Sequence, residues 1–167
     1  MTRRHKNLGG LGASRRPGAM AACTCFNLRK ASRVVTQIFE AALEPSGLKA
    51  TQFTVLAVVS AAGTATMTDL ARALVMDRTT LTRNLRPLEN QGLIAIESGA
   101  DRRTRFVALT GRGRAKLEAA LPLWKEAQAR MLKGLGRAAW RDLLEGLDAA
   151  VAVAQAPRSG AKYMAPG

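Results

Sequence analysis

Thr79, Thr80, Thr82, Arg83 and Arg86 fall within one eight-residue stretch that holds no carboxylate. Short hydroxyls and guanidiniums are the groups that reach base edges and phosphates when a helix lies in a major groove. A guanidinium such as that of Arg83 can read guanine through two parallel hydrogen bonds, worth ~1–3 kcal/mol of discrimination. A second cluster, Asp101, Arg102, Arg103 and Arg105, follows the turn-forming residues Ser98, Gly99 and Ala100. Its arginines suit phosphate or a narrow minor groove. The remaining chemistry-bearing side chains are the thiols of Cys23 and Cys25 and the single histidine, His5. Cys23 and Cys25 have one residue between them, which is neither a metal-ligand spacing nor a disulfide scaffold.

The stretch 66–110 must position both basic clusters. Thr66 is a good N-cap with Asp69 in the capping-box position. Leu70, Ala71 and Leu74 then give one apolar face, which predicts a helix over 67–75. Asp77 caps a second helix in which Leu81, Leu85 and Leu88 form a buried stripe. At ~100° per residue, Thr79, Arg83, Arg86 and Asn90 lie on the opposite face, and Thr80 and Thr82 flank the stripe. Pro87 withholds a hydrogen bond from the Arg83 carbonyl and predicts a bend there. Gly92 is placed to end the helix with φ > 0. Two short strands follow, with Ile94 and Ile96 on one and Phe106 and Ala108 on the other as the alternating apolar residues. Residues 65–67 are expected to add a third short strand. A helix pair followed by a basic hairpin is a winged helix-turn-helix.

The run LARALVMDRTTLTRNLRPLENQGLI, then DRR, then LTGRGR, resembles the MarR family of winged-helix transcription regulators. The likeness extends over roughly 22–153 and is densest in 66–116. It implies a fold that is mainly α with a small β-wing: a winged helix-turn-helix plus a helical dimerisation domain, with the wing between the fourth and fifth of six helices. It also implies a homodimer that represses transcription from a palindromic double-stranded DNA operator. Release would come from a small aromatic or phenolic effector in a crevice between the winged and dimerisation domains. Asp101 and Arg103 match the family's Asp-x-Arg pair, in which the aspartate orients an arginine for the minor groove. Arg102 and Arg105 are then expected on phosphates.

Composition narrows the alternatives. The chain has 167 residues and a net charge of +14, from 26 basic and 12 acidic residues. Residues 66–116 alone hold ten Lys or Arg against five Asp or Glu. Such a balance points to a polyanion, DNA above all. The charge is not spread along one face of a long amphipathic helix, and the longest apolar run, 53–62, is too short to span a bilayer, so no membrane partner is expected. Aromatic content of 4% disfavours single-strand binding by stacking. With His5 the only histidine, no phosphate loop and no metal cluster, neither an enzyme nor a cofactor or metal site is expected. Two cysteines fit a reducing, cytoplasmic setting.

Residues 1–20 read as a disordered basic tail, with Arg3, Arg4, Lys6, Arg15 and Arg16 and no acid. A long helix over 22–44 follows, stopped by Pro45, Ser46 and Gly47. Thr51 is the expected N-cap of a core helix containing Phe53, Val55, Leu56, Val58 and Val59, ended by Gly63. Thr110 caps a long helix with Leu117, Leu121, Trp124, Ala127, Met131 and Leu132 on one face, a kink at Pro122, and a break at Gly134 and Gly136. Trp140, Leu143, Leu144, Leu147, Ala150, Val151 and Ala154 mark a last amphipathic helix. The segments 21–48 and 111–155 thus form the helical dimerisation region, 49–110 the winged DNA-binding domain and 156–167 a flexible tail.

Two further readings remain open. Cys25-Phe26 at the start of the first helix is similar to the Cys-Phe of the hydroperoxide-sensing branch of the family. A helix N-terminus favours a thiolate, and Cys23 or a partner-chain thiol would resolve its oxidation. That branch places tyrosines around its cysteine, whereas the sole tyrosine here is Tyr163. The other reading, from a different class, is a non-specific architectural DNA-binding protein.

Overall fold

A computed structural model describes residues 21–99, 101 and 103–156. Helices α1 (Thr24–Leu43) and α2 (Ala50–Ala62) are joined by a 3₁₀ turn, Glu44–Ser46. Strand β1 (Thr64–Thr66) leads into α3 (Met67–Ala73) and α4 (Arg78–Asn90). The hairpin β2 (Ile94–Ser98) and β3 (Arg105–Leu109) precedes α5 (Gly111–Leu135) and α6 (Arg137–Gln155). The described residues form two compact units, divided between Ala120 and Leu121. The tail readings for 1–20 and 157–167, and the placement of Arg102 and His5, lie outside the described residues.

In the first unit α3 and α4 pack on each other and on α2, and a three-stranded antiparallel sheet in the order β1-β3-β2 closes the core. Phe53, Val55, Leu56 and Val59 of α2 are buried, as are Leu81, Leu85 and Leu88 of α4 and Leu70 of α3. The leucine stripe therefore faces inward as its spacing predicts. Stop signals also fall where expected: Gly47, Gly63 and Gly92 all have positive φ. After α4 the Leu93 N–H reaches the Leu88 carbonyl at 2.9 Å and the Gly92 N–H reaches Glu89 at 2.8 Å, the paired closure that a left-handed residue permits. Helix α4 runs through Pro87, and α5 through Pro122, without interruption.

Several local expectations are corrected. Helix α1 starts at Thr24, because Cys23 has an extended backbone and the Asn27 side chain donates to the carbonyls of Ala21 and Cys23, both at 2.9 Å. Helix α2 is capped at Lys49, not Thr51. The Lys49 N–H is taken by Gln52 Oε1 and the Ala50 N–H by Glu40 Oε1 of α1, each at 2.9 Å, so side chains from within and outside the helix fix its start before Thr51 could cap it. The third strand is 64–66, one residue earlier than read. Helix α3 stops at Ala73, and Val75 takes φ +52, an unusual conformation for an exposed β-branched residue that costs ~1–2 kcal/mol.

The largest correction is the phase of β3. Val107 and Leu109 are buried at 0% and 7% exposure, whereas Phe106 is 37% exposed. The register explains it: Val107 pairs with Ile96 and Leu109 with buried Ile94, so these side chains share the inner face. Phe106 lies on the outer face, against Gly99, where an added Cβ would sit 2.9 Å from the Phe106 ring.

The second unit contains the C-terminal part of α5 and all of α6. Gly136, with φ +78, separates the two helices. No residue of α6 is buried; Leu143, Leu144, Leu147 and Val151 are 37–43% exposed.

Candidate nucleic-acid interface

Two aspartates fix the two basic clusters, and they do so by the same local device. Asp77 caps α4, accepting the Thr80 N–H at 2.8 Å on Oδ1 and the Thr80 hydroxyl at 2.7 Å on Oδ2. Asp101 folds the wing turn, accepting the Arg103 N–H at 3.1 Å, the Thr104 N–H at 2.9 Å and the Thr104 hydroxyl at 2.8 Å. The Gly99 N–H closes the hairpin on the Thr104 carbonyl at 2.7 Å. Asp101 thus acts on Arg103 through the main chain; among the described residues no ion pair joins their side chains.

Both carboxyls are held below the usual range. For Asp77 the Thr80 hydroxyl and then its N–H are the causes; for Asp101 the order is the Thr104 N–H, then its hydroxyl. Such a carboxyl binds fewer protons folded than unfolded, so acidification favours the unfolded chain. Stability from these turns is present at neutral pH and lost as the pH drops below about 4. Thermal melts followed by circular dichroism from pH 6 to 3 should show the loss, with a flatter profile in Asp101→Asn.

Thr79, Thr82, Arg83, Arg86 and Asn90 are exposed on α4, and Thr80 is half-exposed. Not all of these hydroxyls are equally available. A carboxylate and a carbonyl only accept, so Thr80 donates to Asp77 and Thr82 donates to the Arg78 carbonyl at 2.8 Å. Thr79 has no such commitment among the described residues. Arg83, Arg86, Arg103 and Arg105 are exposed and none pairs with a carboxylate among the described residues. One residue was missed by the sequence reading. Arg78 is exposed at the first position of α4 and equally unpaired, and its place directly after the cap was the available signal. Asn84, in contrast, is structural, donating to the Met76 sulfur at 3.3 Å.

At the far end of the wing, Thr110 accepts the Gly113 N–H at 3.0 Å and donates to the Gly92 carbonyl at 2.7 Å. It thereby caps α5 and ties that helix to the end of α4. Cys25 is exposed in the first turn of α1 and Cys23 is half-buried at its cap; both are free thiols. No grouping of side chains able to hold a metal occurs among the described residues, and no described helix is long and apolar enough to cross a membrane.

A capped recognition helix beside a basic three-stranded wing defines a winged helix-turn-helix DNA-binding protein. Residues 46–104 match the MarR family model. The chain is similar to MosR, a transcriptional regulator of M. tuberculosis solved in complex with DNA: 40% identical, covering 80% of this chain and 98% of that one, with a TM-score of 0.71. It is also similar to BpsR of Bordetella bronchiseptica, solved to explain regulation of DNA binding by 6-hydroxynicotinic acid: 26% identical, covering 81% and 98%, TM-score 0.71. The HTH-type transcriptional regulator YwoH of Bacillus subtilis is 28% identical over 106 residues, 64% of this chain and 72% of its own. The chain belongs to the MarR family of DNA-binding transcription regulators.

Proposed function

We propose that the protein is a homodimeric repressor that binds a palindromic double-stranded operator and is released by a small aromatic or phenolic acid. The observation that carries DNA reading is the outer face of α4. Thr79, Arg83 and Arg86 are exposed there without carboxylate partners, opposite the buried stripe of Leu81, Leu85 and Leu88. Arg83, with Thr79, reads base edges; Arg78, Arg102 and Arg105 hold phosphates; Arg103, set by Asp101, enters the minor groove; Thr80 and Thr82, expected on phosphates, instead spend their hydroxyl protons on Asp77 and the Arg78 carbonyl. Residues 49–110 are the DNA-binding domain.

Dimerisation rests on uncovered apolar surface in 21–48 and 111–155. Val34 is 54% exposed, and Leu143, Leu144, Leu147 and Val151 recur along α6 at 37–43%. Apolar side chains left exposed along a helix in this way are buried by a partner, and a twofold dimer suits a palindrome. Effector release is supported by BpsR, whose DNA binding 6-hydroxynicotinic acid regulates. Selection from a random duplex pool should return an inverted repeat. Sedimentation should give a species of twice 17.8 kDa, which becomes heavier by one duplex on binding. A 17.8 kDa species at micromolar concentration, or a pool that stays random, would contradict the proposal.

A second reading concerns the trigger. Cys25 is exposed at the start of a helix whose apolar face is uncovered. Its oxidation by an organic hydroperoxide to a sulfenic acid would place a polar group at the dimer contact. Equal DNA affinity of wild type and Cys25→Ser, each before and after one equivalent of hydroperoxide, would remove this reading and leave the small-molecule effector.

A further inference from the structure

The strand register that buries Val107 and Leu109 has a consequence two residues earlier. Side chains alternate along a strand, so Arg105 shares the inner face with Val107 and Leu109. On α4, Arg86 lies at the flank of the outer face nearest the wing. Accordingly both arginines line one cavity of about 200 Å³ between the recognition helix and the sheet. Met67, Leu85 and Ile96 line it as well. Met67 and Leu85 are buried and Ile96 half-buried, so the cavity has an apolar floor beneath two exposed guanidiniums. Neither arginine has a carboxylate partner among the described residues, although Glu89 lines the same cavity.

We infer that Arg86 and Arg105 form a single seat for one deoxyribose-phosphate unit of the DNA, shared between helix and wing. The sugar rests on Met67 and Ile96, and the phosphate lies between the two guanidiniums. This inference rests on the DNA-binding reading and sharpens it: helix and wing grip the same nucleotide instead of counting as two separate phosphate contacts. It follows that Glu89, which lines the same cavity, opposes binding through its negative charge.

Counterion release separates a shared seat from two separate contacts, because the slope of log K against log salt counts neutralised phosphates at about 0.9 each. The probe is the duplex recovered by selection, and binding is followed by fluorescence anisotropy across a potassium chloride series. With a shared seat, Arg86→Ala and Arg105→Ala each weaken binding with little change in slope, since the remaining arginine still neutralises the phosphate. The double variant then makes the slope shallower by about 0.9 per protomer. Glu89→Gln tightens wild-type binding severalfold and does nothing in the double variant. If each single variant lowers the slope by about 0.9 per protomer and the double variant by twice that, the phosphates are separate and the seat is wrong. A double variant no different from Arg86→Ala alone also overturns it. Failure of the wild-type protein to bind any selected duplex would overturn the functional proposal itself.

Discussion

Replacing Gly113 by alanine should destabilise the winged unit by about 3 kcal/mol, at the top of the range for overpacking, and remove DNA binding with it. A Cβ on Gly113 would lie 1.9 Å from the Leu93 carbonyl oxygen, 2.8 Å from its carbonyl carbon and 3.3 Å from its Cα. All three are main-chain atoms, so no rotamer relieves the contact. The Leu93 carbonyl is itself held, accepting the Thr110 N–H at 3.1 Å. Leu93 also follows Gly92, whose positive φ ends the recognition helix. The chain must therefore move α5 or the junction of α4 and β2, and either shift disturbs the spacing of helix and wing. Alanine is otherwise the better helix former by ~1 kcal/mol, so a neutral or stabilising outcome would show that the close approach is absent. For a chain of this size ~3 kcal/mol corresponds to a melting temperature lower by roughly 6–12 °C, read by calorimetry.

Affinity for the selected duplex should fall by about 10³–10⁵-fold between 50 and 200 mM salt, as expected for roughly six to ten neutralised phosphates in a dimer. Arg78, Arg103 and the seat shared by Arg86 and Arg105, none paired with a carboxylate among the described residues, neutralise about three phosphates from each protomer, the lower end of that range. Arg103→Ala should make the slope shallower by about 0.9 per protomer with little change in base preference. Arg83→Ala should behave differently, relaxing preference at one base position per half-site at a cost of ~1–3 kcal/mol. If Arg103→Ala leaves both affinity and slope unchanged, the wing assignment is wrong.

The sequence made some of this legible and concealed the rest for identifiable reasons. Thr66, Asp77 and Thr110 declare their helices because a short side-chain acceptor before an apolar-periodic run has one main use. The stripe Leu81, Leu85, Leu88 has a single periodicity, so the outer face of α4 follows from it. The segment Arg105–Leu109 is different. Four consecutive apolar residues fit either strand phase, and only pairing with Ile94 and Ile96 decides that Val107 and Leu109 turn inward. That decision is also what brings Arg105 to Arg86, so their shared cavity could not be read before the register was known. The cap of α2 was concealed for another reason: Glu40, ten residues away, satisfies the Ala50 N–H, a tertiary solution that local propensity does not anticipate. Likewise the sequence placed Thr80 and Thr82 at the flank of α4 but could not show that their hydroxyl protons are donated to the Asp77 carboxylate and the Arg78 carbonyl.

Hydroxyl-radical footprinting of the selected duplex tests the central claim most directly. Two recognition helices related by a twofold axis should protect two patches centred ~34–36 Å apart, symmetric about the repeat. Protection without fixed boundaries, at the concentration that saturates binding, would contradict the account and identify an architectural DNA-binding protein instead.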